Sequence, residues 1–190
     1  MPPRKTQRYM LEEAFYSRRQ NAGLAPDVLP IAYLQQRRSS DTNPIDTPQG
    51  NARVTRTITQ YTQRANVITV TGSAFVFQEP GTYHVHAVGY IRQSAGGITE
   101  LRSLIYLTDT VDDALSINGG ASGIVSNNVQ QPVILDEIFG VTSAALAHPL
   151  EFQQYCTNAD EATTFGGPVD IGGGYYELYF SATITRIGPP

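Results

Sequence analysis

Residues 75–85 read FVFQEPGTYHV, and this stretch decides the fold. Phe75 and Phe77 occupy alternate positions, as expected for a strand with one apolar face. Proline fixes its φ and glycine tolerates positive φ, so Pro80 and Gly81 predict a tight turn. A second strand over residues 82–91 then follows, with one face formed by Tyr83, Val85, Ala87, Gly89 and Ile91 and the other by His84, His86, Val88 and Tyr90.

The same two-residue period recurs on both sides of this stretch. Strand candidates lie at residues 53–61, 66–71, 100–108, 132–139, 149–156 and 175–187. The last of them has a predicted inner face of Tyr176, Leu178, Phe180, Ala182 and Ile184. The glycine-containing residues 109–128 predict a long loop. About eight or nine short strands separated by turn signals predict an all-β jelly-roll β-sandwich.

The first 50 residues differ in character from the rest. Half of the 12 prolines of this 190-residue chain fall there, and proline at that density keeps a chain extended. Residues 7–20 lack proline and space their apolar residues as a short amphipathic helix would. Residues 39–51 consist mainly of turn formers and predict a hinge. We therefore predict an extended N-terminal arm at 1–50, with one short helix, and a jelly-roll domain at 51–190.

Charge separates the same two parts. Residues 1–40 hold seven basic and three acidic residues, a net +4, and the remaining 150 hold six Arg and 14 acids, a net −8. Opposite signs favour an arm that docks on an acidic surface, such as that of a neighbouring copy. The alternative is an ordinary flexible basic tail. The candidate contact residues of a docked arm are Arg4, Arg8, Leu11, Phe15, Arg18, Arg19, Leu29, Ile31, Tyr33, Arg37 and Arg38.

Two stretches of the chain resemble a known family. The run 75–85 is similar to the strand–turn–strand signature of complement C1q/TNF-like jelly rolls, and residues 179–184, YFSATI, resemble the last strand of that family. The resemblance implies a homotrimer with aromatic residues near the threefold axis, and it points to Tyr83, Tyr176 and Tyr179. Jelly rolls of this type also resemble those of bacteriophage virions, where they serve as capsid cement or decoration proteins and as fibre heads.

A basic, apolar arm ahead of an acidic β domain favours the cement role. In that interpretation the trimer sits on the outer capsid surface, its arms bind neighbouring copies of the major capsid protein, and the chain is made in the host cytoplasm without a signal peptide. One alternative is a tail-fibre or receptor-binding head, although residues 1–50 show no heptad or repeat that would build a shaft. Another is a soluble C1q-like recognition module unrelated to viruses.

Few residues indicate chemistry. His84 and His86 form an H-x-H pair that could bind zinc, but the sequence identifies no further ligands near them. Asp109, Asp112 and Asp113 could bind calcium, but their spacing matches no 12-residue calcium loop. Cys156 is expected to be an inert core thiol. The motifs G-x-S-x-G, H-E-x-x-H and C-x-x-C do not occur. We therefore expect no enzyme activity, cofactor, metal or small-molecule substrate.

Nucleic acid and membranes are not expected as partners either. The predicted β domain is net acidic and would repel phosphate. The longest apolar runs are far shorter than the ~18 residues of a membrane-spanning helix.

Overall fold

The computed structural model describes residues 31–39, 45–93, 102–112, 116–122, 130–157, 159, 163–166 and 176–189. These residues form twelve strands and one short 3-10 helix: β1 (Ile31–Ser39), β2 (Ala52–Thr55), β3 (Gln60–Arg64), β4 (Ile68–Thr71), β5 (Ala74–Phe77), β6 (Gly81–Gln93), β7 (Ser103–Asp109), β8 (Ile117–Ser122), β9 (Gln130–Val141), the helix Ser143–Ala147, β10 (Leu150–Cys156), β11 (Thr163–Thr164) and β12 (Tyr176–Gly188). Within them no helix is long and apolar enough to cross a bilayer.

Eleven of the twelve strands form two antiparallel sheets, and β2 belongs to neither. The six-stranded sheet has the order β3-β1-β12-β6-β9, and the short β11 pairs with the end of β6. The five-stranded sheet has the order β4-β5-β10-β7-β8. First and last strands of the described chain are neighbours, since β1 pairs with β12 along its length. This all-β sandwich is the architecture that the alternation of the sequence predicts.

The core lies between the sheets and is rich in aromatic side chains. In β6 every second residue is buried, from Gly81 to Gln93, as the period of two requires. Phe77 packs against Tyr83 with a ring-centroid distance of 4.4 Å, and Phe152 packs against Phe180 at 5.2 Å. Burying a side chain of this size contributes about 1.5–3 kcal/mol. The buried Cys156 also lies in this core, as predicted.

One strand lies where a loop was predicted. β8 occupies part of residues 109–128 and pairs with β7. A Cβ atom added to Gly119 would lie 2.8 Å from Cβ of Leu135 in β9 and 2.9 Å from the carbonyl oxygen of Ile105 in β7. Gly119 therefore permits the close approach of β8 to β7 and β9. From the sequence alone, a glycine in this role cannot be distinguished from a glycine in a turn.

The predicted domain boundary near residue 50 is wrong. β1 contains residues assigned above to the arm, yet it pairs with β12 on one side and with β3 on the other. Ala32 and Leu34 are fully buried in the core, which explains why the strand is held there. The β domain therefore includes residues from Ile31 onward. The predicted helix at 7–20 lies outside the described residues.

Residues 45–59 connect the two sheets. The amide of Asn51 donates to the carbonyl oxygen of Cys156, and the amide of Arg56 donates to that of Phe152, so the segment follows β10. It then returns to the six-stranded sheet, where the amide of Thr59 donates to the carbonyl oxygen of Gln35. We call residues 45–59 the strap. It interrupts the single strand predicted at 53–61.

Candidate subunit interface on the six-stranded sheet

The six-stranded sheet has one face in the core and one face turned away from it, which we call the outer face. Residues directly opposite one another on paired strands share a face. His84, His86 and Val88 alternate with the buried residues of β6 and so lie on the outer face. Their partners on β9 are Ile138, Asp136 and Ile134, and their partners on β12 are Thr185, Thr183 and Ser181.

Large apolar side chains are exposed on this face. In the single chain Ile138 is 62% exposed, Ile134 is 45% exposed and Tyr33, which pairs with Thr183, is 42% exposed. Ile134 and Ile138 lie on β9 on either side of Asp136, and Tyr33 lies on β1, which β12 and β6 separate from β9. The exposed apolar side chains are therefore spread across the outer face. Between them lie threonine and serine side chains of β12 together with His84, His86 and Asp136. Contact of this face with another protein would bury these exposed apolar side chains.

A charged group lies among the exposed side chains of the outer face. Nε2 of His84 is 2.5 Å from Oδ1 of Asp136, and Nδ1 of His86 is 3.5 Å from the same oxygen. The hydrogen bond from His84 lowers the pKa of Asp136, and the nearby His86 lowers it further. One carboxylate thus forms a hydrogen bond with His84 and lies beside the second imidazole, that of His86. The H-x-H pair singled out in the sequence therefore has an acidic partner across the sheet.

Most predicted arm contacts lie outside the described residues. That group comprises Arg4, Arg8, Leu11, Phe15, Arg18, Arg19 and Leu29. The others, Ile31, Tyr33, Arg37 and Arg38, lie in β1. Of these, Tyr33 belongs to the outer face, and the backbone amide of Arg37 donates to Oγ1 of Thr59 in the strap. These four residues are part of the β domain and not of a free arm.

The tyrosines implied by the family resemblance occupy different places. Tyr83 and Tyr179 are buried within the single chain, and the hydroxyl of Tyr83 donates to the carbonyl oxygen of Glu79 at 2.6 Å. Burial raises the pKa of Tyr83. Tyr176 is the first residue of β12. Tyr83 and Tyr179 are therefore not exposed on the single chain, whereas Tyr33, Ile134 and Ile138 are. The place of Tyr83 and Tyr179 at a trimer interface stays a prediction.

Sequence reasoning missed Ile134, Asp136 and Ile138 as members of this surface. The signal available in the sequence was the alternation of β9, where Val133 and Leu135 are buried while Ile134 and Asp136 are exposed. The sequence does not give the β6–β9 register, which places Asp136 opposite His86.

Comparisons with known proteins bear on the fold. No protein-family model matches the chain, and no curated protein matches it in sequence. Among solved structures, murine APRIL at pH 8.0 is similar with a TM-score of 0.50 and 8% identity, over 83% of this chain and 99% of that one. The PRD1 vertex protein P5 matches with a TM-score of 0.48 and 13% identity, over 85% of this chain and 99% of its own.

At such low identity the likeness to APRIL shows the fold alone. The chain has a TNF-like jelly-roll fold, which confirms the fold class predicted from residues 75–85 and 179–184.

Proposed function

We propose that this chain is a structural virion protein of the capsid cement or decoration type, which assembles as a homotrimer on the outer capsid surface and binds neighbouring capsid subunits through its N-terminal segment. The observation that carries the proposal is the outer face of the six-stranded sheet, where Tyr33, Ile134 and Ile138 expose apolar surface in the single chain. Contact with further copies would remove that surface from water. Each square ångström of apolar area buried in this way contributes about 25 cal/mol.

The placement of β1 supports the second part of the proposal. A segment that binds a neighbouring subunit must be held firmly by its own domain. β1 is flanked on both sides by paired strands, and the residues at its start, Ile31 and Ala32, pair with both β12 and β3. Residues 1–30 therefore join the domain at a strand in the interior of a sheet. With the opposite net charges of the two parts of the chain, this arrangement favours a tether that extends to another subunit.

The cement role is tested by binding to capsid shells that lack this protein. The full chain should bind the shells and raise their thermal disassembly temperature, with a copy number in purified particles comparable to that of the major shell protein. Deletion of residues 1–30 leaves β1 intact and should abolish most of the stabilisation. A truncated chain that stabilises shells as well as the full chain would contradict the clamp mechanism.

A low copy number would contradict the cement role itself. A few dozen copies or fewer per particle would favour the tail-fibre or receptor-binding head. If purified particles contain none of this chain, the virion assignment is wrong.

A further inference from the structure

A cluster of three ligand-type side chains lies away from the outer face, at one end of the five-stranded sheet. Nδ1 of His148 lies 2.8 Å from Oδ2 of Asp109 and 3.4 Å from Oδ1 of Asp112. One nitrogen and two carboxylate oxygens thus converge, with all three atoms within 4.8 Å of one another. The aspartates come from the end of β7 and the turn after it, and the histidine comes from the residues just before β10.

Backbone pairing brings the two segments together. Asp109 is directly opposite Leu150 in the ladder between β7 and β10, two residues after His148. Both the amide and the hydroxyl of Thr110 donate to the carbonyl oxygen of Pro149 at 3.0 Å. The amide of Asp109 donates to Oγ of Ser116. The cluster therefore rests on a hydrogen-bonded frame rather than on the chance proximity of long side chains.

The orientation of Asp109 suits a ligand. Its Oδ1 atom accepts the amide proton of Val111 at 2.9 Å, which fixes the carboxylate and directs Oδ2 toward His148. Burial tends to raise the pKa of Asp109, but the hydrogen bonds from Val111 and His148 outweigh it and lower the pKa overall. The side chain is fully buried, whereas that of Asp112 is 53% exposed. One rim of the cluster is thus open to solvent.

The donor set and its spacing match a small divalent ion. Zinc bonds to histidine nitrogen and carboxylate oxygen are about 2.0–2.2 Å long, so neighbouring ligand atoms of a tetrahedral site lie about 3.3 Å apart. The separations of 2.8 and 3.4 Å around Nδ1 of His148 already approach that value. Imidazole favours zinc and related transition metals, whereas calcium and magnesium prefer six or more oxygen ligands.

We propose that Asp109, Asp112 and His148 bind one divalent transition-metal ion of the zinc class, with water from the open rim as a further ligand. Binding replaces the proton on Nδ1 of His148 with the metal ion. The ion then links the turn after β7 to the segment that precedes β10, and so stabilises this end of the five-stranded sheet. The proposal stands independently of the capsid role, because none of its residues lies on the outer face.

The test is a calorimetric titration of the full chain with ZnCl2, paired with cobalt absorption spectra that report nitrogen and oxygen coordination. We expect one Zn²⁺ per chain and a rise in melting temperature when it binds. Asp112→Asn should weaken binding by about tenfold or more, and His148→Gln should remove it. Asp112 is exposed, so its variant tests the site even if the His148 variant folds poorly.

The matched control is Asp136→Asn, which alters the other histidine–carboxylate cluster of the described chain, at His84 and His86. This control should bind Zn²⁺ as the parent does. Absence of binding at millimolar Zn²⁺, or unchanged affinity in both the Asp112 and the His148 variants, would overturn the proposal. Loss of binding in the Asp136 variant alone would place the ion on the outer face and overturn it equally.

Discussion

Nε of Arg56 lies 3.6 Å from Oδ2 of Asp46, and both side chains are buried. The arginine also donates from Nη2 to Oε1 of Gln36 in β1, at 2.8 Å, and its guanidinium stacks 4.4 Å from the ring centre of Phe165. Burial lowers the pKa of Arg56 to about 10, against the opposing effect of Asp46. Together with Gln36, the pair holds the strap against β1.

Removal of Asp46 should destabilise the protein strongly. Asp46→Ala leaves a buried guanidinium without its counter-ion, a loss of about 3–5 kcal/mol. It also removes the acceptor for the amide and hydroxyl of Thr57. Guanidinium chloride unfolding measures the change, with Glu137→Ala as a control at an exposed acid. A loss below about 1 kcal/mol would show that Arg56 does not depend on Asp46.

Replacement of both members should cost less than removal of one. The double variant Asp46→Leu with Arg56→Met buries no charge, and such apolar replacements of buried ion pairs are often neutral or stabilising. We expect the double variant to be more stable than Asp46→Ala in the same unfolding experiment. If it is the less stable of the two, hydrogen bonds to Gln36 and Tyr179 matter more than the charge.

Two N-terminal deletions should differ sharply. A chain that begins at Ile31 keeps β1 and should fold, whereas one that begins at residue 41 loses an interior strand together with the buried Ala32 and Leu34. The second deletion exposes core surface and leaves backbone groups of β3 and β12 without their partners. The expected loss of stability is comparable to the whole free energy of unfolding of a domain, about 5–15 kcal/mol. Far-UV circular dichroism and thermal unfolding distinguish them. Equal stability of the two would mean that β1 is dispensable.

The proposed homotrimer should depend on the outer face. Ile138→Asp places a charge on the outer face and should shift the mass measured by light scattering from about three times 20.7 kDa toward a single chain. Val111→Asp is the matched control, because Val111 is also 62% exposed but lies in the turn after β7. A trimer that survives Ile138→Asp, or a wild-type chain that is monomeric, would exclude this face as the interface.

Acid should weaken the contact between His84 and Asp136. The folded-state pKa of Asp136 is lowered, so its carboxylate adds stability above the unfolded pKa of about 3.8, and this addition is lost as pH falls through the folded value. Asp136→Asn lacks this contribution. Between pH 5 and pH 3 the wild type should therefore lose more stability in urea than the variant, by at most about 1 kcal/mol because the groups are exposed. Equal losses of stability in the wild type and in Asp136→Asn would contradict the lowered pKa of Asp136.

The strand faces could be predicted because alternation is a local property. Tyr83, Val85 and Ala87 are buried and their neighbours are not, as the period of two requires. β1 carried the same signal, since Ala32, Leu34 and Gln36 alternate as buried residues. The prolines that precede β1 and the two arginines within it are more typical of an extended arm than of a strand. Residues 31–39 were therefore assigned to the arm.

The remaining features depend on contacts between distant parts of the chain. A buried Arg56 is not foreseeable from composition, because arginine is nearly always exposed unless its partners are known. Asp109 and His148 are 39 residues apart, and only the β7–β10 register sets them side by side. The same holds for His86 and Asp136 across the β6–β9 ladder. Without register, each of these residues resembles an isolated polar side chain.

The position of β1 has a mechanical consequence. Hydrogen bonds of a β ladder run across the strands, so a pull along the axis of β1 loads both of its ladders in shear, and many bonds must break together. A pull at an edge strand, directed away from the sheet, would peel bonds apart one at a time. Tension that enters the domain at Ile31 along the strand thus meets the stronger geometry, and the fold can bear load without unravelling from its N-terminal end.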